Sequence, residues 1–182
     1  MITFAFLLFL NSSFVVDVST TTSYWLDIPR ERLRTFVDDI GLFARHMPGV
    51  VGVTPLTDST YRYETEKKLP LAGTLAITFI IVKRTIGDSL TVYESVNADD
   101  PNYMYCSVSI QPDSPETTLI GLTLRLRLSR DNPFSIHWMA PVLGERFIAA
   151  RMKEDMDEMM EEFIRSSSAE LYNRLLPRTH YR

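Results

Sequence analysis

The sequence has one cysteine, three histidines and no lysine or arginine before Arg30, and each shortage excludes something. The single thiol, Cys106, cannot close a disulfide within the chain or supply a multi-cysteine metal site. His46, His137 and His180 are too widely spaced to form a zinc constellation, so neither a metal nor a cofactor is expected. The net charge of −4 lacks the basic excess that phosphate binding draws on, which argues against a nucleic-acid partner. Catalytic signatures are missing too. There is no GxSxG elbow, P-loop, GxGxxG or HExxH. The acidic pairs Asp38–Asp39, Asp99–Asp100 and Glu161–Glu162 read as solvated surface.

The long apolar runs needed for a membrane span are also lacking. "MITFAFLLFL" at the start is apolar for ten residues, whereas a spanning helix needs about 20. It lacks the basic n-region and small-residue cleavage site of a signal peptide. Residues 1–17 are therefore expected to form an extra strand or packed segment, with a signal or membrane anchor as the alternative. Residues 18–176 read as a single domain and 177–182 as a short tail; 182 residues suffice for a core without staples.

What is present is strong patterning. "TTTSYWLDI" alternates and is rich in β-formers, so it predicts a strand. "PRERLRTFVDDI" has Leu33, Phe36 and Val37 at helical spacing behind Pro29, and "GLFARHM" predicts a second short helix. Pro48–Gly49 then stops the helix. His46 falls in its last turn, where a cation suits the helix dipole, and has no catalytic partner in view. Six strands follow: "VVGVTPL", "TYRYETEK", "TLAITFIIVKR", "SLTVYESV", "YMYCSVSI" and "TTLIGLTLRLRLS". Short turns between successive strands build an antiparallel meander. A long helix over Val142–Leu176 closes the chain, with Ile148, Met152, Met156, Met159, Phe163, Leu171 and Leu175 in one stripe.

One amphipathic helix can cover one concave sheet. The order therefore predicts an α+β helix-grip fold: a curved antiparallel sheet of about seven strands wrapped around the C-terminal helix, with two short helices after the first strand. The stretch "LDIPRERLRTFVDDIGLFARHMPGVVGVTPLTDSTYRYETEKKLPL", with its "MPGV" helix exit and "PLTDSTYRY" hairpin, resembles the opening of the START-like superfamily. That group contains polyketide cyclases, lipid-transfer domains and coenzyme-Q-binding proteins. "LGERFIAARMKEDMDEMMEEF" resembles the start of the last helix of the carbon-monoxide-dehydrogenase G-like proteins. The resemblance runs from Ser23 to Tyr172. It implies a pocket between sheet and helix holding a hydrophobic small molecule such as a quinone, a lipid or a polyketide-like compound.

The residues themselves put Tyr61, Tyr63, Phe79, Val92, Met104 and Cys106 on the facing strands of that pocket. Met152, Met156, Met159 and Phe163 face it from the helix, and Trp138 from the loop before it. Methionine adapts to irregular apolar shapes, so a Met-rich helix suits a ligand wall as well as a core. Two other roles remain open. One is a cyclase or dehydratase using tyrosines (Tyr61, Tyr63 or Tyr105) and His137 as acid–base groups. The other is an accessory protein acting through protein–protein contacts. "LAITFIIV", apolar on both faces, and "NPFSIHWMAPV" exceed what a pocket needs. They suggest cover by the N-terminal segment, a homo-oligomer or peripheral contact with a membrane. The chain is expected in the cytoplasm, in some settings at a membrane surface.

Overall fold

The computed structural model describes residues 13–69, 73–135 and 140–173. Strand β1 (Phe14–Leu26) leads into helices α1 (Arg30–Asp38) and α2 (Ile40–Arg45). Six strands follow: β2 (Val50–Pro55), β3 (Thr60–Leu69), β4 (Gly73–Ile86), β5 (Leu90–Ser95), β6 (Asn102–Pro112) and β7 (Thr118–Arg130). A one-turn 3-10 helix (Pro133–Ser135) precedes the long helix α3 (Ala140–Asn173). The strands form one antiparallel sheet in the order β1-β7-β6-β5-β4-β3-β2. Because β1 and β2 are the two edges, α1 and α2 must carry the chain from one side of the sheet to the other.

Alternation decides the faces. In β1 the side chains of Phe14, Val16, Val18 and Thr20 are buried, while those of Asp17, Ser19 and Thr21 between them are exposed. The strand starts at Phe14, so residues 14–17 belong to it and not to a separate segment. On the outer face Asp17 answers Arg125 of β7 with a two-pronged ion pair at 2.9 and 2.6 Å. In β4 the inward set is Leu75, Ile77, Phe79 and Ile81. The outward set is Thr74, Ala76 and Thr78, which are exposed, and Ile80 and Val82, which are half-buried. The second apolar face of "LAITFIIV" is thus confined to two residues; residues 1–12, expected to cover it, lie outside the described residues.

The helices depart from the expected ranges for local reasons. "PRERLRTFVDDI" does not run through to Ile40. Asp39 takes an extended backbone, and its carboxylate accepts the Leu42 N–H at 2.9 Å, capping α2. Gly49 takes a positive φ of 81°, and a Cβ there would lie 3.1 Å from the Glu66 carbonyl oxygen. Glycine thus permits the exit from α2 into β2. Helix α3 begins at Ala140, and Gly144, at φ 76° and ψ 162°, breaks its first turn from the rest. The long helix then follows β1. Glu145 accepts the Val15 N–H at 2.7 Å, Asp157 accepts the Thr20 hydroxyl, and the Tyr172 hydroxyl accepts the Asp27 N–H at 3.1 Å. No helix among the described residues is long and apolar enough to cross a membrane.

Candidate functional site

The concave face of the sheet and α3 do not meet everywhere. Between them lies a cavity of about 480 Å³, within the range of about 300–1,000 Å³ usual for small-molecule sites. β4 contributes Leu75, Ile77, Phe79 and Ile81, and β7 contributes Leu124, Leu126 and Leu128. α3 closes the other side with Ile148, Met152, Met156 and Met159. Phe43 of α2 and Tyr93 of β5 stand at one end, their rings stacked at 5.4 Å.

Beyond that end the space is filled. Phe163 packs against Phe43 at 4.9 Å and against Phe36 at 6.2 Å, and none of the three rings is more than 3% exposed. His46 caps α2 there. Its Nδ1 lies 2.8 Å from the Ser166 hydroxyl, and its ring lies 5.7 Å from that of Phe36. The histidine therefore fastens α2 to α3, a role more specific than the helix-end cation expected from sequence.

The cavity interior is apolar with few polar atoms. Tyr93 donates its hydroxyl to the Val37 carbonyl, and Thr65 donates its own to the Ile77 carbonyl at 3.2 Å. Tyr63 is buried, and its hydroxyl has no hydrogen-bond partner among the described residues, yet it is not sealed into protein. Burial holds both tyrosines well above the ordinary phenol range, and it pushes the Cys106 thiol up to about 12. All three groups are therefore neutral and protonated at physiological pH. Charged side chains line only the mouth. Lys67 of β3 reaches Asp155 of α3 at 3.2 Å, and Arg151 reaches the same carboxylate at 3.4 Å. This clasp ties the helix to the far side of the sheet.

Of the side chains proposed from sequence, Tyr63, Phe79, Met104, Cys106, Met152, Met156 and Met159 line the cavity. Three others do not. Val92 lies on the outer face, because its neighbour Tyr93 faces inward and side chains alternate along a strand. Tyr61 sits towards the β2–β3 hairpin and donates its hydroxyl to the Asp58 carbonyl at 3.2 Å. Phe163 belongs to the filled aromatic cluster. Tyr105 pairs with Glu94 and Arg125 on the outer face. Trp138 and His137 lie outside the described residues. Sequence reasoning passed over Leu124, Leu126 and Leu128 as cavity lining, although their alternation with Arg125 and Arg127 marks an inward face.

No protein-family model and no curated protein matches the chain. Solved structures do. The aromatase/cyclase ZhuI from Streptomyces sp. R1128 superposes with a TM-score of 0.68 over 90% of this chain and 98% of its own, at 10% identity. A START superfamily protein from Mycobacterium smegmatis gives 0.62 over 85% and 97%, at 15% identity. The di-domain aromatase/cyclase StfQ of the steffimycin biosynthetic pathway gives 0.60 at 13% identity, over 88% of this chain and 52% of that one. At such identities the likeness speaks to fold, and not to the nearer resemblance to the carbon-monoxide-dehydrogenase G-like group. Seven antiparallel strands gripping one long helix, with two short helices crossing from edge to edge, are the START-like helix-grip fold.

Proposed function

We propose that this protein binds a hydrophobic small molecule, of the size of a quinone, a lipid chain or a polycyclic polyketide, in the cavity between the sheet and α3. The observation that carries this reading is an apolar space of about 480 Å³ inside an otherwise filled core. Protein interiors otherwise pack like organic crystals, and water in an apolar hollow this large finds few hydrogen-bond partners on its walls, so an apolar ligand displaces it favourably. The lining also continues outward. Leu143 and Phe147 belong to the cavity wall, and Phe147 is 57% exposed. Such an apolar rim supports uptake from an apolar surface, a membrane among them.

Two of the similar structures are named aromatase/cyclases, which raises the enzymatic alternative. The buried lining favours binding instead. Among the described residues it offers Tyr63, Tyr93 and Cys106 as its titratable groups, and burial keeps all three protonated. General acid–base catalysis works best with a group that titrates near the working pH.

The test is native mass spectrometry of the purified protein, followed by organic extraction of whatever it releases. A discrete apolar molecule is expected, displaced stoichiometrically in Met156→Trp, where the new indole occupies the cavity. A protein that retains nothing, even when offered a short-chain quinone and a long-chain alcohol, overturns the reading.

A further inference from the structure

We infer that Tyr63 is the polar anchor of the cavity, and that the ligand is a neutral molecule whose inner end carries a hydrogen-bond acceptor of the ketone or quinone type. The inference rests on the proposed binding role and narrows it to a chemical class.

A hydroxyl on an apolar wall bonds whatever it can reach, so one that opens onto the cavity and has no protein partner is left for what enters the cavity. Tyr93 and Thr65, which line the same cavity, both spend their hydroxyls on backbone carbonyls. Tyr63 is 6% exposed and does not. Its place in the sheet is fixed on both sides, opposite Val53 of β2 and Phe79 of β4, so the phenol is held rigidly at the wall. The thiol of Cys106 faces the same space from β6 and is a weak donor. Together they present a protonated oxygen and a protonated sulfur. Donors of this kind suit an incoming acceptor oxygen.

The same wall rejects charge. No lysine, arginine or histidine is among the described buried lining residues; Lys67 and Arg151 sit at the exposed mouth, already shared by Asp155. A carboxylate driven to Tyr63 would lose its water and gain no cation, a penalty of several kcal/mol. A carbonyl loses far less and regains a hydrogen bond. The neutral acceptor end therefore goes in, and the hydrocarbon follows along the methionines.

Three bicyclic probes of nearly equal size separate these terms: tetralin, the ketone tetralone and a tetralin carboxylate. Their affinities are measured by calorimetry on the wild-type protein and on Tyr63→Phe. In wild type both neutral probes are expected to bind, and the carboxylate at least about 100-fold more weakly than tetralone. Tyr63→Phe is expected to lower the tetralone-to-tetralin affinity ratio about fivefold, leaving tetralin binding and the unfolding midpoint unchanged. The carbonyl stretch of bound tetralone should lie at lower frequency in wild type than in the variant. Equal losses for both neutral probes in Tyr63→Phe would overturn the anchor, since the ring would then merely pack. Tight carboxylate binding would overturn the neutral class. A protein that binds neither neutral probe overturns the proposed function itself, a result distinct from the other two.

Discussion

The two halves of α3 bury similar side chains against opposite kinds of surroundings. From Ile148 to Met159 the helix looks onto empty space across from β3 and β4. From Met160 to Leu171 it packs solidly, with Phe163 set against Phe36 of α1 and Phe43 of α2. Hydrophobicity does not distinguish them. What differs is the opposing layer: the second half meets α1 and α2, which fill the concavity, and the first half meets bare sheet. A curved sheet and a straight helix can touch closely along one line only. Wherever no third element is inserted between them, a hollow remains.

The sharpest way to break this contrast is to truncate one side chain at each end. Phe163→Ala removes a fully buried ring from a filled cluster and should cost about 3–5 kcal/mol. Met156→Ala, on the cavity wall, should cost no more than about 2 kcal/mol, because part of what it touches is already empty. The opposite change should reverse the order. Met160→Trp overpacks the solid end and should cost about 1–3 kcal/mol, whereas Met156→Trp should be neutral or stabilising by up to about 2 kcal/mol. Urea unfolding of the four variants decides it. Equal costs at both ends would mean the hollow collapses in solution.

A smaller effect tests whether the hollow is dry. Burial raises the Cys106 thiol from its ordinary 9.0 to about 12 in the folded chain. The raised value means that the stability it contributes is complete below pH 9 and is lost as pH climbs towards 12. Between pH 9 and 10 the unfolded chain releases a proton that the folded chain keeps, so stability should fall by up to about 1.4 kcal/mol per pH unit. Cys106→Ala should show a correspondingly flatter decline in pH-dependent unfolding. Identical slopes would indicate a water-filled cavity in which the thiol ionises normally.

The smallest expected effect is at the mouth. Asp155→Asn removes the carboxylate that Lys67 and Arg151 share. These groups are largely solvated, the Lys67 side chain being 54% exposed, so unfolding free energy should change by no more than about 0.5 kcal/mol. Stopped-flow dissociation of a bound apolar fluorophore should nonetheless become faster, because the clasp is the described ion pair that joins α3 to β3. An unchanged rate would show that ligands leave by another route.

Much of this was legible in the chain. Alternation placed Met104 and Cys106 inward on β6, and the heptad-like stripe placed Met152, Met156 and Met159 on the sheet side of α3. Errors arose where one signal had two readings. Phe163 shares the stripe with the cavity methionines, and periodicity cannot tell a wall from a plug. Val92 lies in "LTVYES", where Val92 and Tyr93 are adjacent and both able to face a core, so the sequence left the strand's phase open. Tyr61 and Tyr63 share a strand face. One is drawn off by the hairpin carbonyl of Asp58, a contact that only the turn geometry creates.

The sequence by itself determined the order of elements, the inward faces of β4 and β6 and the helix stop at Gly49, because these follow from side-chain period and local backbone freedom. It also excluded disulfide and multi-cysteine metal chemistry by lacking the residues. Tertiary structure alone decided that a cavity exists, where it ends and that the Tyr63 hydroxyl has no partner among the described residues. Those are properties of how a curved sheet fails to meet a straight helix, and of which polar groups on distant strands find one another. No local pattern encodes the distance between segments brought together only by the fold.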